Sequence, residues 1–94
     1  MQDLERYTQM IVPVLKRYAI KQAAIFGSLA KGTMTNESDI DLLIEPNLGF
    51  TLFTMLQLEE EITSLTNHKT DIVEYNALKA SIKNEVMQTA ISIL

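Results

Sequence analysis

The chain has 94 residues, of which 47% are hydrophobic and 21% charged, with a formal net charge of −4 and no cysteine. That length predicts one small domain spanning 1–94, and the acidic balance argues against autonomous nucleic-acid binding, which needs a basic footprint. Absent cysteines exclude disulfides and thiolate metal sites and fit a cytoplasmic chain, while no apolar run approaches the ~18 residues of a membrane span.

Leu4, Tyr7, Ile11, Val14, Leu15 and Tyr18 recur at helical spacing, so Gln2 to Tyr18 reads as an amphipathic helix. Pro13 is expected to kink it or split it near Val12, because proline lacks the backbone donor and restricts the residue before it. Ala23 to Phe26 is a short, fully apolar strand that stops at Gly27-Ser28. Thr33 to Ser38 is a polar loop, and a second strand runs from Asp39 to Glu45 before Pro46-Asn47 ends it.

A helix is predicted over Phe50 to Thr66, with Leu52, Met55, Leu58, Ile62 and Leu65 on one stripe. Phe53 and Leu56 fall off that stripe, either under the preceding loop or in a partner-binding patch. Thr66-Asn67-His68 is a turn, and the isolated His68 reads as a structural or solvated histidine. Lys69 to Tyr75 alternates as a third strand, with Lys69, Asp71, Val73 and Tyr75 on one face. Asn76 can cap a last helix, Ala77 to about Gln88, with Leu78, Ile82 and Val86 inward. The tail from Ala90 to Leu94 suits either a continued helix or a short edge strand. Strands separated by helices predict an α/β sandwich.

The chemistry concentrates between Gly27 and Asp41. Aspartate is depleted in strands, yet Asp39 and Asp41 stand at i and i+2 at the head of an apolar one. Period-2 geometry sets both carboxylates on one face, with Cβ atoms roughly 6–7 Å apart. Two like charges so close repel unless a cation lies between them, and a divalent metal is the simplest cation. Gly27 at a strand end permits close backbone approach, and Ser28 suits the N-cap of a following turn whose free N–H groups could bind phosphate. A phosphate cradle followed ten residues later by a paired-carboxylate site describes phosphoryl or nucleotidyl transfer.

At these residues the chain resembles the polymerase-β nucleotidyltransferase superfamily, whose signature is Gly-Ser followed by Asp-x-Asp. The fuller string G-S-L-A-K-G…S-D-I-D-L-L-I resembles its minimal nucleotidyltransferase branch, the MntA-like antitoxins. The resemblance runs from about Tyr18 to Tyr75. Many relatives carry arginine where this chain has Leu29 and Lys31; a lysine keeps a point charge for phosphate but lacks the bidentate fork.

The resemblance implies a small mixed sheet with helices packed mainly on one face. It implies that Asp39, Asp41 and Asp71 are the catalytic carboxylates holding two Mg²⁺ ions, Asp71 also orienting or deprotonating the attacking hydroxyl. Gly27, Ser28, Lys31 and Ser38 are the expected nucleotide-binding residues, although Ser38 equally suits the end of its loop. The implied activity is transfer of AMP from ATP to a hydroxyl, expected to be a tyrosine, of a partner HEPN-type toxin. The other readings are a non-catalytic antitoxin with a vestigial site, or transfer to a small molecule or an RNA end.

Overall fold

In the computed structural model, which describes residues 2–94, elements follow the order α1 (Gln2–Arg17), β1 (Gln22–Phe26), α2 (Gly27–Lys31), β2 (Ile40–Glu45), α3 (Leu52–Thr66), β3 (Thr70–Glu74), α4 (Ala80–Thr89) and β4 (Ile91–Ser92). A 3-10 turn, Tyr75–Ala77, links β3 to α4. The four strands form one mixed sheet in the order β3-β2-β1-β4. β1 pairs antiparallel with β2 and β4, and β2 pairs parallel with β3. The ambiguous tail is therefore an edge strand. Among the described residues, no helix is long and apolar enough to cross a membrane.

Alternation along the strands decides which face carries the core. Ala23 and Ile25 of β1, Ile40, Leu42 and Ile44 of β2, and Ile72 of β3 pack with Tyr7, Ile11, Val14 and Leu15 of α1 and Leu58 and Ile62 of α3. Each such large apolar side chain, fully buried, contributes about 1.5–3 kcal/mol. The intervening residues, including Asp41 and Asp71, point to the opposite face. α1 and α3 thus share one side of the sheet, and the Arg17–Glu61 ion pair joins them at their outer edge.

Four local expectations are corrected. α1 runs unbroken through Pro13 instead of splitting near Val12. Its buried face lies on both sides of that residue, Ile11 at 0% and Val14 at 3% exposed, and this packing outweighs a proline penalty of about 3 kcal/mol. On α3 the inward line is Met55, Leu58, Ile62 and Thr66, while Leu52 and Leu65 face outward. The Thr66 hydroxyl enters this apolar line because it donates to the Ile62 carbonyl at 2.8 Å. The last helix begins at Ala80 without a side-chain cap, so Asn76 does not start it, and none of its residues is buried. Leu78 and Val86 are only half-buried and Ile82 lies largely in solvent, because α4 packs on the small helix α2 and not on the main core.

Candidate active site

β2 and β3 run parallel in a register that sets Asp41 directly beside Asp71 and Ile40 beside Thr70. Adjacent strands lie about 4.8 Å apart, so the two carboxylates project side by side from the face opposite the core. Asp39 lies just before β2, two positions from Asp41, and its charge reaches Asp41. Asp41 is the central member. Burial raises its pKa most, followed by the charges of Asp71 and then Asp39. The ion pairs found among the described residues, Asp3–Arg6 and Arg17–Glu61, involve none of these three acids.

Gly27 meets Asp41 from the neighbouring strand end, where β1 pairs Phe26 with Asp41. Its φ is +70°, and a Cβ on it would sit 2.2 Å from Asp41 Oδ2. The backbone conformation favours glycine, and an added methyl group would displace the Asp41 carboxylate. α2 starts at Gly27 with Phe26 as N-cap and no side-chain cap. Ser28 therefore lies inside the first turn and does not cap it, so the first amides of α2 have no intrahelical acceptor. Gly32 closes this helix in the left-handed conformation. Leu29 is 1% exposed and belongs to the core, where it anchors α2 to the sheet. Lys31 is exposed at the C-terminal end of α2, three residues after Ser28.

Ser38 acts within its loop. Its hydroxyl accepts from the Thr35 amide at 2.9 Å and lies 3.2 Å from Thr35 Oγ1, which closes the turn ahead of Asp39. Two further contacts had no sequence signal beyond the residue types themselves. Glu59 of α3 accepts from the Ile72 amide at 3.3 Å, covering the free edge of β3 next to Asp71. His68 reaches the Ser38 carbonyl, 30 positions away, at 2.8 Å. A groove of about 540 Å³ between α1 and β4, lined by Leu4, Thr8, Ile91 and Ile93 among others, contains none of the site residues.

Comparison with known proteins bears on this arrangement. The family described as polymerase beta nucleotidyltransferase matches residues 9–94. The chain belongs to that family. It is 28% identical over 92 residues to a Methanocaldococcus jannaschii protein provisionally named a protein adenylyltransferase, covering 98% of this chain and 99% of the relative. A solved structure provisionally described as a minimal nucleotidyltransferase superposes with a TM-score of 0.82 at 27% identity, covering 96% of this chain and 92% of that one. A third structure, a tri-AMPylated Shewanella oneidensis HEPN toxin with its MNT antitoxin, shares the fold with a TM-score of 0.75 at 14% identity. The match covers 97% of this chain and 71% of that one. The fold and the enzyme class expected from the Gly-Ser…Asp-x-Asp string are thereby borne out.

The donor set suits a hard divalent cation, since it consists of carboxylate oxygens. Among the described residues, no three His, Cys, Asp or Glu side chains gather into a ready-made cage. Such a cage is not what Mg²⁺ ordinarily uses. It keeps several waters and binds through one or two carboxylates plus substrate phosphates. The strand register brings Asp41 beside Asp71, and the Asp41 pKa is raised first by burial and then by the charges of Asp71 and Asp39.

Proposed function

We propose that this nucleotidyltransferase moves AMP from ATP to a hydroxyl of a partner protein, a HEPN-type toxin, and serves as its antitoxin. The observation that carries the chemistry is Asp41, close to Asp39, Asp71 and Gly27 and, among the described residues, in no ion pair. The partner assignment rests on the protein-adenylyltransferase name of the archaeal relative and on the toxin complex of the third structure.

In this reading Asp39 and Asp41 hold the metal ions, two Mg²⁺, and Asp71 completes the set. When bound, the ions neutralise phosphate charge and stabilise the attacking and leaving oxygens. The first-turn amides of Gly27 and Ser28 receive a phosphate of ATP, the missing Cβ of Gly27 allowing the approach. Exposed Lys31 can reach out to the same phosphates as a point charge. Asp71 orients the acceptor hydroxyl, a tyrosine in this reading, and takes its proton. The hydroxyl oxygen then bonds to the α-phosphorus, the bond to the β-phosphate oxygen breaks, and pyrophosphate leaves. The acidic balance of the chain fits a protein acceptor better than a nucleic-acid one, and a chain without cysteine is compatible with the cytoplasm.

The test is incubation of the chain with the co-expressed partner, Mg²⁺ and ATP labelled at the α-phosphate. Label and a mass gain of AMP should appear on the partner with wild-type protein and disappear with Asp41→Asn. Label on the partner that survives Asp41→Asn sinks the assignment. Full toxin neutralisation by Asp41→Asn would instead favour an antitoxin acting by binding alone.

A further inference from the structure

The proposed metal ligands are held by their backbone, and the backbone around Asp39 is gripped from one place. The Ser38 carbonyl, on its N-terminal side, accepts from His68 Nδ1 at 2.8 Å. The Ile40 amide, on its C-terminal side, donates to the Lys69 carbonyl at 2.8 Å. Consecutive residues 68 and 69 thus fix both peptide units that flank Asp39. These same residues lead directly into β3 and Asp71.

His68 is itself held at every polar atom. A carbonyl can only accept, so Nδ1 carries the proton, and in the neutral imidazole Nε2 is then the acceptor. The Tyr7 hydroxyl fills that role at 2.9 Å, and Arg6 donates to Tyr7 at 2.8 Å. Donation therefore runs one way, from Arg6 through Tyr7 and His68 to the Ser38 carbonyl. The Tyr7 ring meets the imidazole edge-on with centroids 5.3 Å apart, and Tyr7 is 6% exposed in the core. The His68 amide donates to Thr66 Oγ1 at 3.3 Å, and the His68 carbonyl accepts from Thr70 Oγ1 at 3.2 Å. A ring fixed on two sides, with one face of its turn braced at both backbone groups, has a single position to offer the loop.

We propose that His68 is a positioning residue for the metal site: its Nδ1–H sets the orientation of the Ser38–Asp39 peptide and so aims the Asp39 carboxylate beside Asp41. Tyr7 is the part of the core that orients the imidazole and fixes its tautomer. The loop 33–38 is tied to itself through Thr35 and Ser38, to α2 through the Thr33 amide and to the core through Met34, but among the described residues only His68 holds the Ser38 carbonyl. Without His68 the Asp39 side chain loses its fixed aim while the fold keeps its sheet. This inference rests on the reading of Asp39 as a metal ligand.

The experiment measures Mn²⁺ binding by the loss of the free-ion paramagnetic resonance signal, in the presence of α,β-methylene-ATP, together with thermal stability. Asparagine can set its amide nitrogen where Nδ1 stands, whereas glutamine reaches only to the position of Nε2. His68→Leu and His68→Gln should each weaken Mn²⁺ binding about tenfold, the scale of outer-shell changes. His68→Asn should recover to within about threefold of wild type on that same scale. If leucine prevents folding, the Asn and Gln pair decides. Equal Mn²⁺ affinity in Asn and Gln variants, or better recovery by Gln, overturns the proposal. Asp39→Asn runs alongside: unchanged Mn²⁺ binding there refutes the metal-site reading itself. A loss there with none in His68→Gln refutes only the role of His68.

Discussion

Gly27→Ala tests the junction between α2 and the carboxylate cluster. Two penalties act on the new methyl group. The φ of +70° belongs to the left-handed region, which costs an L-residue about 1–2 kcal/mol. The methyl would also lie 2.2 Å from Asp41 Oδ2, where ordinary contact begins at 3.4 Å. β2 is hydrogen-bonded on both sides, so the Asp41 side chain must swing away, and an off-rotamer position costs about 0.5–1.5 kcal/mol. The total is about 1.5–3.5 kcal/mol, which for a domain of this size lowers Tm by roughly 6–28 °C. The two parts separate in a double-mutant cycle with Asp41→Ala, read by chemical denaturation. With the carboxylate removed, Gly27→Ala should retain only the backbone cost, leaving a coupling of about 1 kcal/mol. Additivity of the two substitutions to within about 0.3–0.5 kcal/mol would refute the steric reasoning. A Gly27→Ala protein as stable as wild type would refute the strain as well.

Asp41→Asn should stabilise the metal-free protein at neutral pH by up to about 1 kcal/mol, solvent screening holding the gain to that of exposed charge pairs. The sign follows from a folded pKa raised above the unfolded one. The wild-type contribution is fully present below the ordinary aspartate range and is lost as pH rises through the raised value. Melting curves across that window should therefore converge at acid pH and separate above it; parallel curves would contradict the repulsion. Asp71→Asn should lower AMP transfer by roughly 10²-fold or more while the far-ultraviolet spectrum is unchanged. Wild-type turnover would remove Asp71 from the site. Phe53 is 83% exposed, so Phe53→Asp should change stability by less than about 0.5 kcal/mol. It should nonetheless weaken partner capture with ATP binding intact, and undiminished capture would exclude this patch. Ile91→Asp should instead destabilise the fold by about 1–3 kcal/mol in denaturation, because Ile91 pairs with Ile25 and packs on the core.

Those last two variants show where the linear reading stopped. Phe53 and Leu56 lie off the apolar line of α3 in the sequence and are exposed in the fold, so no loop covers Phe53. The C-terminal residues, suited by composition to a continued helix or an edge strand, pair with β1 through Ile91–Ser92. The Ile93 and Leu94 amides both donate to the Ala23 carbonyl. Composition could not distinguish helix from strand there, because a short apolar run suits either.

By itself the sequence determined the succession of the main helices and the first three strands, the place of Asp39 and Asp41 two positions apart at the head of β2, and the glycine after Phe26. These follow from spacing between near neighbours, where a period of two or of 3.6 residues is a local property of the chain. Tertiary structure alone decided that β2 pairs parallel with β3, and hence that Asp71 stands beside Asp41. It also carried α1 across Pro13, since only the packing on both sides of that residue outweighs the lost hydrogen bond. The clearest case is His68, a lone histidine in a turn when read along the chain. Tyr7 lies 61 positions from it and Ser38 lies 30. No periodicity links residues so distant; helix and sheet packing alone brings their donors and acceptors within 3 Å of one another.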